Sequence, residues 1–344
     1  MREEKTLSES VEPVLETVSE PLEPAGQNHD DLTDFKKTFN KKKIPLGKRL
    51  VDQRYLLLLS VPFVVWLIVF RYIPLIGWLM AFQDYRPHLG WFGSPWVGLK
   101  HFKELFSARL FGIALQNTLG MSVLLLSFGT VTAISFAVLL NELRYLPFKR
   151  FTQTVSYLPH FVSWVVVANI ITSFLSVNGP LNEILMAFNL IKEPTNIMLK
   201  PEYFWWLVTF ADIWKEMGWN AIIYLAAMAG IDAQIYEAAE IDGVNRLQKI
   251  MYITLPGISG TIIILLILSI GNIINIGFER QFFMGNAVTQ PKAFVLDWYA
   301  LNYGIGLFRY SFGTAIGIFR SVVSITLLLI ANFLARRSGV GRLF

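Results

Sequence analysis

The sequence predicts an all-α integral membrane protein of about six transmembrane helices, and three observations support this fold class. Of the 344 residues, 54% are hydrophobic and only 16% are charged, which is too apolar for a soluble globular domain. Several apolar runs of about 20 residues are long enough to cross a bilayer as helices. Lys and Arg concentrate in alternate connecting segments, as expected when those segments stay in the cytoplasm.

Residues 1–54 precede the first apolar run and form two predicted parts. Residues 1–34 are rich in Glu, Ser and Pro and are predicted to be a disordered acidic tail. The sequence "KKTFNKKKIPLGKR" (36–49) and Arg54 form a basic cluster beside the first span, which indicates a cytoplasmic anchor on anionic lipid. No basic n-region followed by an apolar h-region opens the chain, so we expect the first span itself to direct insertion.

The predicted spans are 55–82, 113–141, 152–176, 203–229, 258–283 and 312–335. They divide the chain into a first helix with an outer loop (55–112), a core of five helices (113–336) and a cytoplasmic tail (337–344). With the amino terminus inside, the inner segments "RYLPFKR" (144–150) and "ARRSGVGR" (335–342) are both basic. Both termini and the loop at 232–256 are therefore predicted to face the cytoplasm. The basic patches bracket membrane helices and form no groove, which argues against nucleic acid.

The loop at 232–256 contains "YEAAEIDGVNRLQKIMYITLP" (236–256), a charged stretch between two apolar runs. Good helix formers predict a helix over 233–241, and Gly243 suits the turn that ends it. A second helix is predicted over Val244–Tyr252, and Pro256 is expected in the first turn of the next membrane helix. The pattern predicts a short helix-turn-helix lying along the membrane surface; an ordinary connecting loop is the alternative.

This stretch resembles the EAA loop in permease subunits of binding-protein-dependent ABC importers. The resemblance rests on "EAA" (237–239), on Gly243 three residues after Glu240, and on "ITLP" (253–256). Further segments resemble the sugar-type permeases, above all the subfamily that imports oligosaccharides and polysaccharide fragments, and the resemblance covers residues 55–344. These segments are "VGLKHF" (97–102), "NTL" (117–119), "WKEMGWNAIIYLAAMAGID" (214–232) and "YSFGTAIGIFRSVV" (310–323).

The resemblance implies a type I ABC importer permease (MetI-like) fold in which the EAA loop is a coupling helix seated in an ATPase subunit. Its implied coupling residues are Glu237, Ala238, Ala239, Asp242, Gly243 and Pro256. The implied partners are a second, homologous permease subunit in a heterodimer, two ATPase subunits and an extracytoplasmic binding protein. These would deliver a sugar, expected to be an oligosaccharide, across the bacterial cytoplasmic membrane. This chain would bind no cofactor, since ATP and Mg would lie on the ATPase subunits.

Polar groups inside a membrane span are costly, so each one is a candidate for substrate contact. The candidates in the fourth and fifth spans are Trp214, Glu216, Trp219, Asn220, Tyr224, Asn272, Asn275 and Glu279. The last three follow the i, i+3, i+7 spacing of one helical face, and Asp212 is placed to neutralise Lys215. Interhelical structural contacts are the alternative for all of them. The resemblance favours Asn272 and Asn275 as substrate contacts.

Other chemistry is not indicated by the sequence. There is no Cys, the four His residues lack metal-ligand spacing, and no GxxxxGK[ST] motif is present. The chain is therefore expected to be no enzyme and to bind no metal. An ATP-independent secondary transporter or channel is the alternative, but it would predict an inverted repeat. Arg71, inside the first span, either marks a bend near Pro74 or contacts a partner subunit.

Overall fold

The computed structural model describes residues 52–338, and this range is helical with no β-strand. The predicted all-α class is confirmed.

The α-helices are α1 Arg54–Leu67, α2 Gly90–Gly93, α3 Lys100–Ser107, α4 Arg109–Glu142, α5 Leu146–Tyr157, α6 Trp164–Phe174, α7 Pro180–Ala187, α8 Phe204–Ala229, α9 Ala233–Ile241, α10 Arg246–Lys249, α11 Leu255–Gly257, α12 Ser259–Gly271, α13 Glu279–Met284, α14 Gln290–Ala293, α15 Leu296–Leu301 and α16 Tyr310–Ser338. π-Helical turns lie at Ile68–Tyr72, Ile250–Thr254 and Asn302–Gly306, and 3-10 turns at Ile73–Phe82, Leu158–Phe161, Ile197–Leu199 and Pro201–Tyr203.

The chain separates into two units, with the boundary between Arg71 and Tyr72. In the described residues the first unit is α1 with the start of the π-helical turn, and the second unit contains all later helices. Helix type changes around Arg71, since a π-helical turn covers Ile68–Tyr72 and Pro74 lies in the first turn of the 3-10 segment that follows. Both alternatives for Arg71 stay predictions. The predicted tail over 1–54, apart from its last three residues, and residues 339–344 lie outside the described residues.

Five of the six predicted spans match stretches that are long and apolar enough to cross a membrane. Three are single helical stretches, and two are pairs of helices bent by 105° and 58°. They are Arg54–Phe82, Arg109–Glu142, Tyr310–Arg337, the pair Leu146–Phe161 with Trp164–Phe174, and the pair Arg246–Gly257 with Ser259–Gly271. The remaining predicted span, 203–229, coincides with the 26-residue helix α8. Its charged residues Asp212, Lys215 and Glu216 distinguish it from the other five by composition.

The prediction of one continuous helix over 258–283 is wrong. Helix α12 ends at Gly271, and α13 begins only at Glu279. Non-helical backbone is tolerated at membrane depth only where its polar groups find partners inside the protein. Here the Ser122 hydroxyl donates to the carbonyl of Ile273, and the amide of Gly277 donates to the Asp297 carboxylate at 3.0 Å. Asn272, Asn275 and Glu279 therefore do not share one helical face.

The predicted third span, 152–176, is also interrupted. The chain bends by 105° between the 3-10 turn Leu158–Phe161 and α6. Pro159 lies in the first turn of that 3-10 segment and cannot donate a backbone hydrogen bond there, which favours the end of regular α-helix at this point. Ser163 then starts α6 by accepting a hydrogen bond from the amide of Val166.

Helices α4 and α8 pack along each other and carry the buried core of the second unit. Their lower-numbered halves meet around Met121, Phe204 and Val208, and a second apolar cluster forms around Ala133 and Ala221. Close packing also brings α5 onto α8, because a Cβ at Gly218 would lie 2.2 Å from the carbonyl oxygen of Ser156. No larger side chain fits at that position, so Gly218 sets how closely the two helices approach.

A row of polar side chains on α4 holds the segments that lie between α12 and α16. The Asn117 amide donates to the carbonyls of Pro291 and Phe294 at 2.7 and 2.9 Å. The Thr118 hydroxyl accepts from the amide of Leu296 at 2.9 Å. The "NTL" motif therefore has a structural role, because its first two residues supply hydrogen-bond partners for backbone groups in and next to α14 and α15.

Substituting Gly218 with Ala should destabilise the protein by about 1–3 kcal/mol, because the added methyl group overpacks the contact with α5. The midpoint of thermal unfolding in detergent measures this effect. Gly112→Ala in α4 is the matched control, because a Cβ there meets no atom within 4 Å. We expect it to be neutral or stabilising, since Ala favours a helix over Gly. Equal midpoints for both variants would contradict the close contact.

Candidate functional site

The EAA loop, residues 232–256, begins with the predicted helix. Helix α9 spans Ala233–Ile241, as expected, and Asp232 caps it by accepting a hydrogen bond from the amide of Gln234 at 3.0 Å. Gly243 follows with φ +73, a left-handed conformation that costs glycine little. The amide of Gly243 donates to the carbonyl of Glu240, and that of Val244 donates to Ala239, which together form a Schellman turn.

The second half of the loop differs from the prediction. The helix after the turn starts at Arg246 rather than Val244, because Asn245 and Gln248 form a capping box that fixes its first turn. It then widens into the π-helical turn Ile250–Thr254. Pro256 lies in the first turn of the short helix α11 and not in that of the membrane helix, which begins at Ser259 beyond a 58° bend.

The EAA loop has one side held by the protein and one side facing outward. Ala239 is buried, and the Tyr236 hydroxyl lies 2.9 Å from that of Thr254. Glu237 and Ala238 are exposed on α9, so the two alanines of the motif face different surroundings.

The turn of the EAA loop is braced by an ion pair and followed by exposed apolar side chains. Lys249 Nζ lies 2.6 Å from Glu240 Oε1, and this hydrogen bond lowers the pKa of the Glu240 carboxyl. Ile241 and Leu247 are 88% and 69% exposed, although both are apolar. The outward side of the loop therefore offers a carboxylate beside apolar surface, as a protein contact requires.

A first cavity of about 340 Å³ lies between α4, α8, α12 and the broken segment after α12. Four of the predicted substrate candidates line this cavity: Asn220, Tyr224, Asn272 and Asn275. Thr130 and Ser269 add hydroxyl groups. Amides, hydroxyls and a phenol are groups that both donate and accept hydrogen bonds, as recognition of sugar hydroxyls requires.

A second cavity of about 470 Å³ lies beside the first and contains two further predicted residues, Glu216 and Glu279. Trp164 and Phe278 supply aromatic surface there. Both cavities are lined by Asp212, Ile276 and Arg280, so these three residues form the wall between them.

Two of the predicted candidates line neither cavity. Trp214 lies on the exposed side of α8 and is 47% exposed. Trp219 stacks on the ring of His160, with ring centroids 4.2 Å apart and planes parallel within 2°. Trp219 thus helps to hold the bend before α6, which is a structural role.

The charges on α8 are paired, but not as the sequence suggested. Asp212 pairs with Arg280, which follows the break after α12. Lys215 pairs with the neighbouring Glu216 at 3.0 Å and donates to the carbonyl of His160 at 2.6 Å. The prediction that Asp212 neutralises Lys215 is wrong, because Arg280 occupies that carboxylate. His160 Nδ1 lies 2.6 Å from the second oxygen of Glu216.

A further ion pair lies where the break meets α16. Arg320 contacts Asp297 at 2.6 Å and donates to the side-chain oxygen of Asn275 at 2.7 Å. Burial raises the pKa of Asp297, while Arg320 and the amide of Gly277 oppose this rise. Asn275 also donates to Ser324 at 2.7 Å, so its amide has structural bonds in addition to its place in the cavity wall.

Sequence reasoning missed Arg280 and Trp164. Arg280 directly follows the predicted Glu279 and is a charged residue at the end of a predicted span. The free-energy cost of a charge inside the membrane, which selected the other candidates, would therefore also have selected Arg280. Nothing in the sequence marked Trp164 as a candidate, because the 105° bend before α6 is what places it in the lining of the second cavity. Within residues 52–338, no group of three or more His, Cys, Asp or Glu side chains is placed to hold a metal ion.

The fold and these two sites define an inner-membrane transport component. The family "Binding-protein-dependent transport system inner membrane component" matches residues 126–340, and the chain belongs to this family. The similarity to known proteins extends over most of the chain.

Among curated relatives, the chain is 42% identical over 310 residues to the "Polygalacturonan/rhamnogalacturonan transport system permease protein YteP" of Bacillus subtilis (strain 168), covering 90% of this chain and 95% of the relative. It is 41% identical to "Protein LplB" of the same organism, covering 83% and 89%. A solved bacterial ABC transporter involved in the import of the acidic polysaccharide alginate matches with 36% identity and a TM-score of 0.78, covering 85% of this chain and 98% of that one. The predicted permease fold is confirmed.

Replacing Lys215 with Met should destabilise the protein by about 3–5 kcal/mol, because it leaves the Glu216 carboxylate with less compensating charge in a largely buried place. The Lys215 side chain is 6% exposed. Met is chosen because it matches the aliphatic part of the Lys side chain and lacks only the charged group. Thermal unfolding in detergent is the measurement. Lys103→Met, at an exposed position on α3, is the control and should change the midpoint little. Equal shifts in the two variants would contradict the buried pairing.

Proposed function

We propose that the chain is a transmembrane permease subunit of an ATP-driven ABC importer that carries an acidic oligosaccharide. The observation that carries this proposal is the EAA loop itself. A capped helix, a Schellman turn and a capping box hold Glu237 and Ala238 outward on a rigid element in a chain of this family. An ATP-independent transporter has no need for such an element.

The proposed orientation places both termini and the EAA loop in the cytoplasm of a bacterial cell. The basic segments at 36–54, 144–150 and 335–342 support it, because Lys and Arg favour the cytoplasmic side of short loops. In this orientation α9 would contact an ATPase subunit, and the outer segments would receive an extracytoplasmic binding protein. One set of spans per chain calls for a second, homologous permease subunit to complete the path.

The chain would do no chemistry of its own. ATP and Mg would be bound by two partner ATPase subunits, and their closure would pull on the EAA loop. Because α8 ends at Ala229 and α9 starts at Ala233, a movement of the loop acts directly on the helix that carries Asp212, Asn220 and Tyr224. Rigid-body movement of packed helices would then open the cavity to alternate sides.

The cargo class is proposed from the relatives and from the cavities together. One relative is named for polygalacturonan and rhamnogalacturonan, and a solved neighbour imports the acidic polysaccharide alginate. A second solved structure shows that importer with a periplasmic protein bound to an alginate pentasaccharide, again at 36% identity and with a TM-score of 0.77. In this chain, Asn220 and Tyr224 suit sugar hydroxyls, and Trp164 offers a flat surface for a sugar ring.

Reversing one charge on the EAA loop tests the coupling. Glu237→Lys should reduce co-purification of the ATPase subunits and abolish uptake, since a lost charged contact in an interface costs about 2–5 kcal/mol. The variant should still insert, because Glu237 is exposed on α9. Glu183→Lys on α7, also exposed but in a predicted outer segment, is the matched control and should retain the ATPase. Unchanged assembly and uptake in Glu237→Lys would refute the coupling role.

Truncating Asn220 tests the first cavity as a sugar site. Asn220→Ala should raise the half-saturating saccharide concentration for ATPase stimulation about tenfold, because one hydrogen bond of about 1.4 kcal/mol is lost. Assembly should persist, since Asn220 is exposed to the cavity. Asn169→Ala on α6, whose amide bonds to the carbonyl of Val165 one turn earlier, is the control. If both variants have the same half-saturating saccharide concentration for ATPase stimulation, Asn220 is not part of the site.

A further inference from the structure

The wall between the two cavities consists of the Asp212–Arg280 ion pair and one apolar residue, Ile276. Asp212 lies on the continuous helix α8. Arg280 lies in α13, just after the non-helical segment that follows α12. The two side chains are 17% and 14% exposed, so most of both lies away from water. A saccharide that passes from one cavity to the other must therefore separate two largely buried charges.

Arg280 is held in place and keeps a spare donor. Its guanidinium donates to the carbonyl of Ile276 at 2.6 Å and lies 5.8 Å from the ring centroid of Trp164. Its Nε is buried and has no hydrogen-bond partner in the described part of the chain. The guanidinium therefore pairs with Asp212 while one of its donors remains unused.

Separating this pair has different costs for neutral and acidic cargo. A neutral sugar leaves both Arg280 and Asp212 without a counter-charge, and breaking a buried ion pair is strongly destabilising. A cargo carboxylate can replace Asp212 as the counter-charge of the Arg280 guanidinium through a charge-assisted hydrogen bond. The released Asp212 then lies three residues from Lys215, on the neighbouring turn of α8, while Glu216 keeps its hydrogen bond to His160. With acidic cargo every buried charge keeps a partner.

We propose that Arg280 selects carboxylate-bearing saccharides: a cargo carboxylate displaces Asp212 from Arg280 as the chain passes between the two cavities. This inference rests on the proposed import function and names the residue that sets its preference for acidic cargo. Trp164 supplies the sugar-ring surface beside the guanidinium.

Two carboxylates besides Asp212 line the second cavity and oppose an anionic cargo: Glu216, which is paired with Lys215, and Glu279. Glu279 lines that cavity and has no ion-pair partner among residues 52–338. Its side chain is exposed, however, and water and salt screen an exposed charge strongly. The largely buried guanidinium of Arg280 is screened much less, so its electrostatic interaction with the cargo carboxylate is the stronger one. Arg280 rather than Glu279 therefore determines the preference for acidic cargo.

The test compares uptake of an acidic oligosaccharide with uptake of its methyl-esterified, neutral form. It uses the whole complex in liposomes: both permease subunits, the ATPase subunits and the binding protein loaded with either cargo. The variant Asp212→Asn/Arg280→Gln replaces the ion pair by two neutral amides of similar shape. The ratio of acidic to neutral uptake should fall about tenfold or more, a change of about 1.4 kcal/mol, because neutral cargo no longer separates charges. Glu104→Gln/Arg309→Gln, which neutralises an ion pair lining neither cavity, should leave the ratio unchanged.

The outcomes separate this inference from the proposed function. If the parent complex imports the acidic saccharide and the neutralised variant imports both cargoes at the parental ratio, the role of Arg280 is overturned and the import function stands. If the parent complex imports no acidic saccharide, the proposed cargo itself is wrong. If the double variant does not assemble, Arg280→Lys is the deciding variant, because Lys lacks the planar guanidinium that donates to the carboxylate of Asp212 and to the carbonyl of Ile276 at the same time. The ratio should then fall severalfold, and a parental ratio would again overturn the proposal.

Discussion

Charge compensation inside an apolar helical bundle is the constraint on which this structure depends. Asp212 needs Arg280, Lys215 needs Glu216, and Asp297 needs Arg320, because an unpaired ion away from water costs several kcal/mol. The Asp212–Arg280 pair joins α8 to α13, and the Asp297–Arg320 pair joins α15 to α16, whereas Lys215 and Glu216 are neighbours on α8. These pairs also bring the polar groups of both cavities together. The same interactions that stabilise the bundle therefore shape the proposed path.

Helix α8 connects the two sites. It carries Asp212 and Asn220 in the cavity walls, packs closely on α5 at Gly218, and leads within a few residues into α9. It packs along α4 in two apolar clusters, an arrangement that suits rigid-body movement better than local bending. In the proposed mechanism, a pull on the EAA loop would reach the wall between the cavities through α8, because only residues 230–232 separate α8 from α9.

Local patterns in the sequence were sufficient for the fold class, for the helical stretches at 55–82, 113–141, 203–229 and 312–335, and for the first half of the EAA loop. Helix α9 and the Gly243 turn depend on nearby residues alone, so propensity and capping predicted them. The break after Gly271 could not be predicted this way, because its backbone is satisfied by Ser122 and Asp297, which are distant in sequence. For the same reason the partner of Asp212 was misassigned, and Trp164 was missed. Asn220 and Tyr224 were found because a polar group in a span is informative by itself.

The central claim is that the cavities beside Arg280 form the cargo path, and thiol labelling tests it most directly. The chain contains no Cys, so Ser269→Cys gives a single thiol in the wall of the first cavity. A membrane-permeant maleimide would be applied to the assembled complex during ATP turnover, with and without the saccharide-loaded binding protein. The account predicts that cargo slows labelling of this thiol severalfold. Equal labelling rates under turnover, with import shown to proceed in the same vesicles, would contradict it.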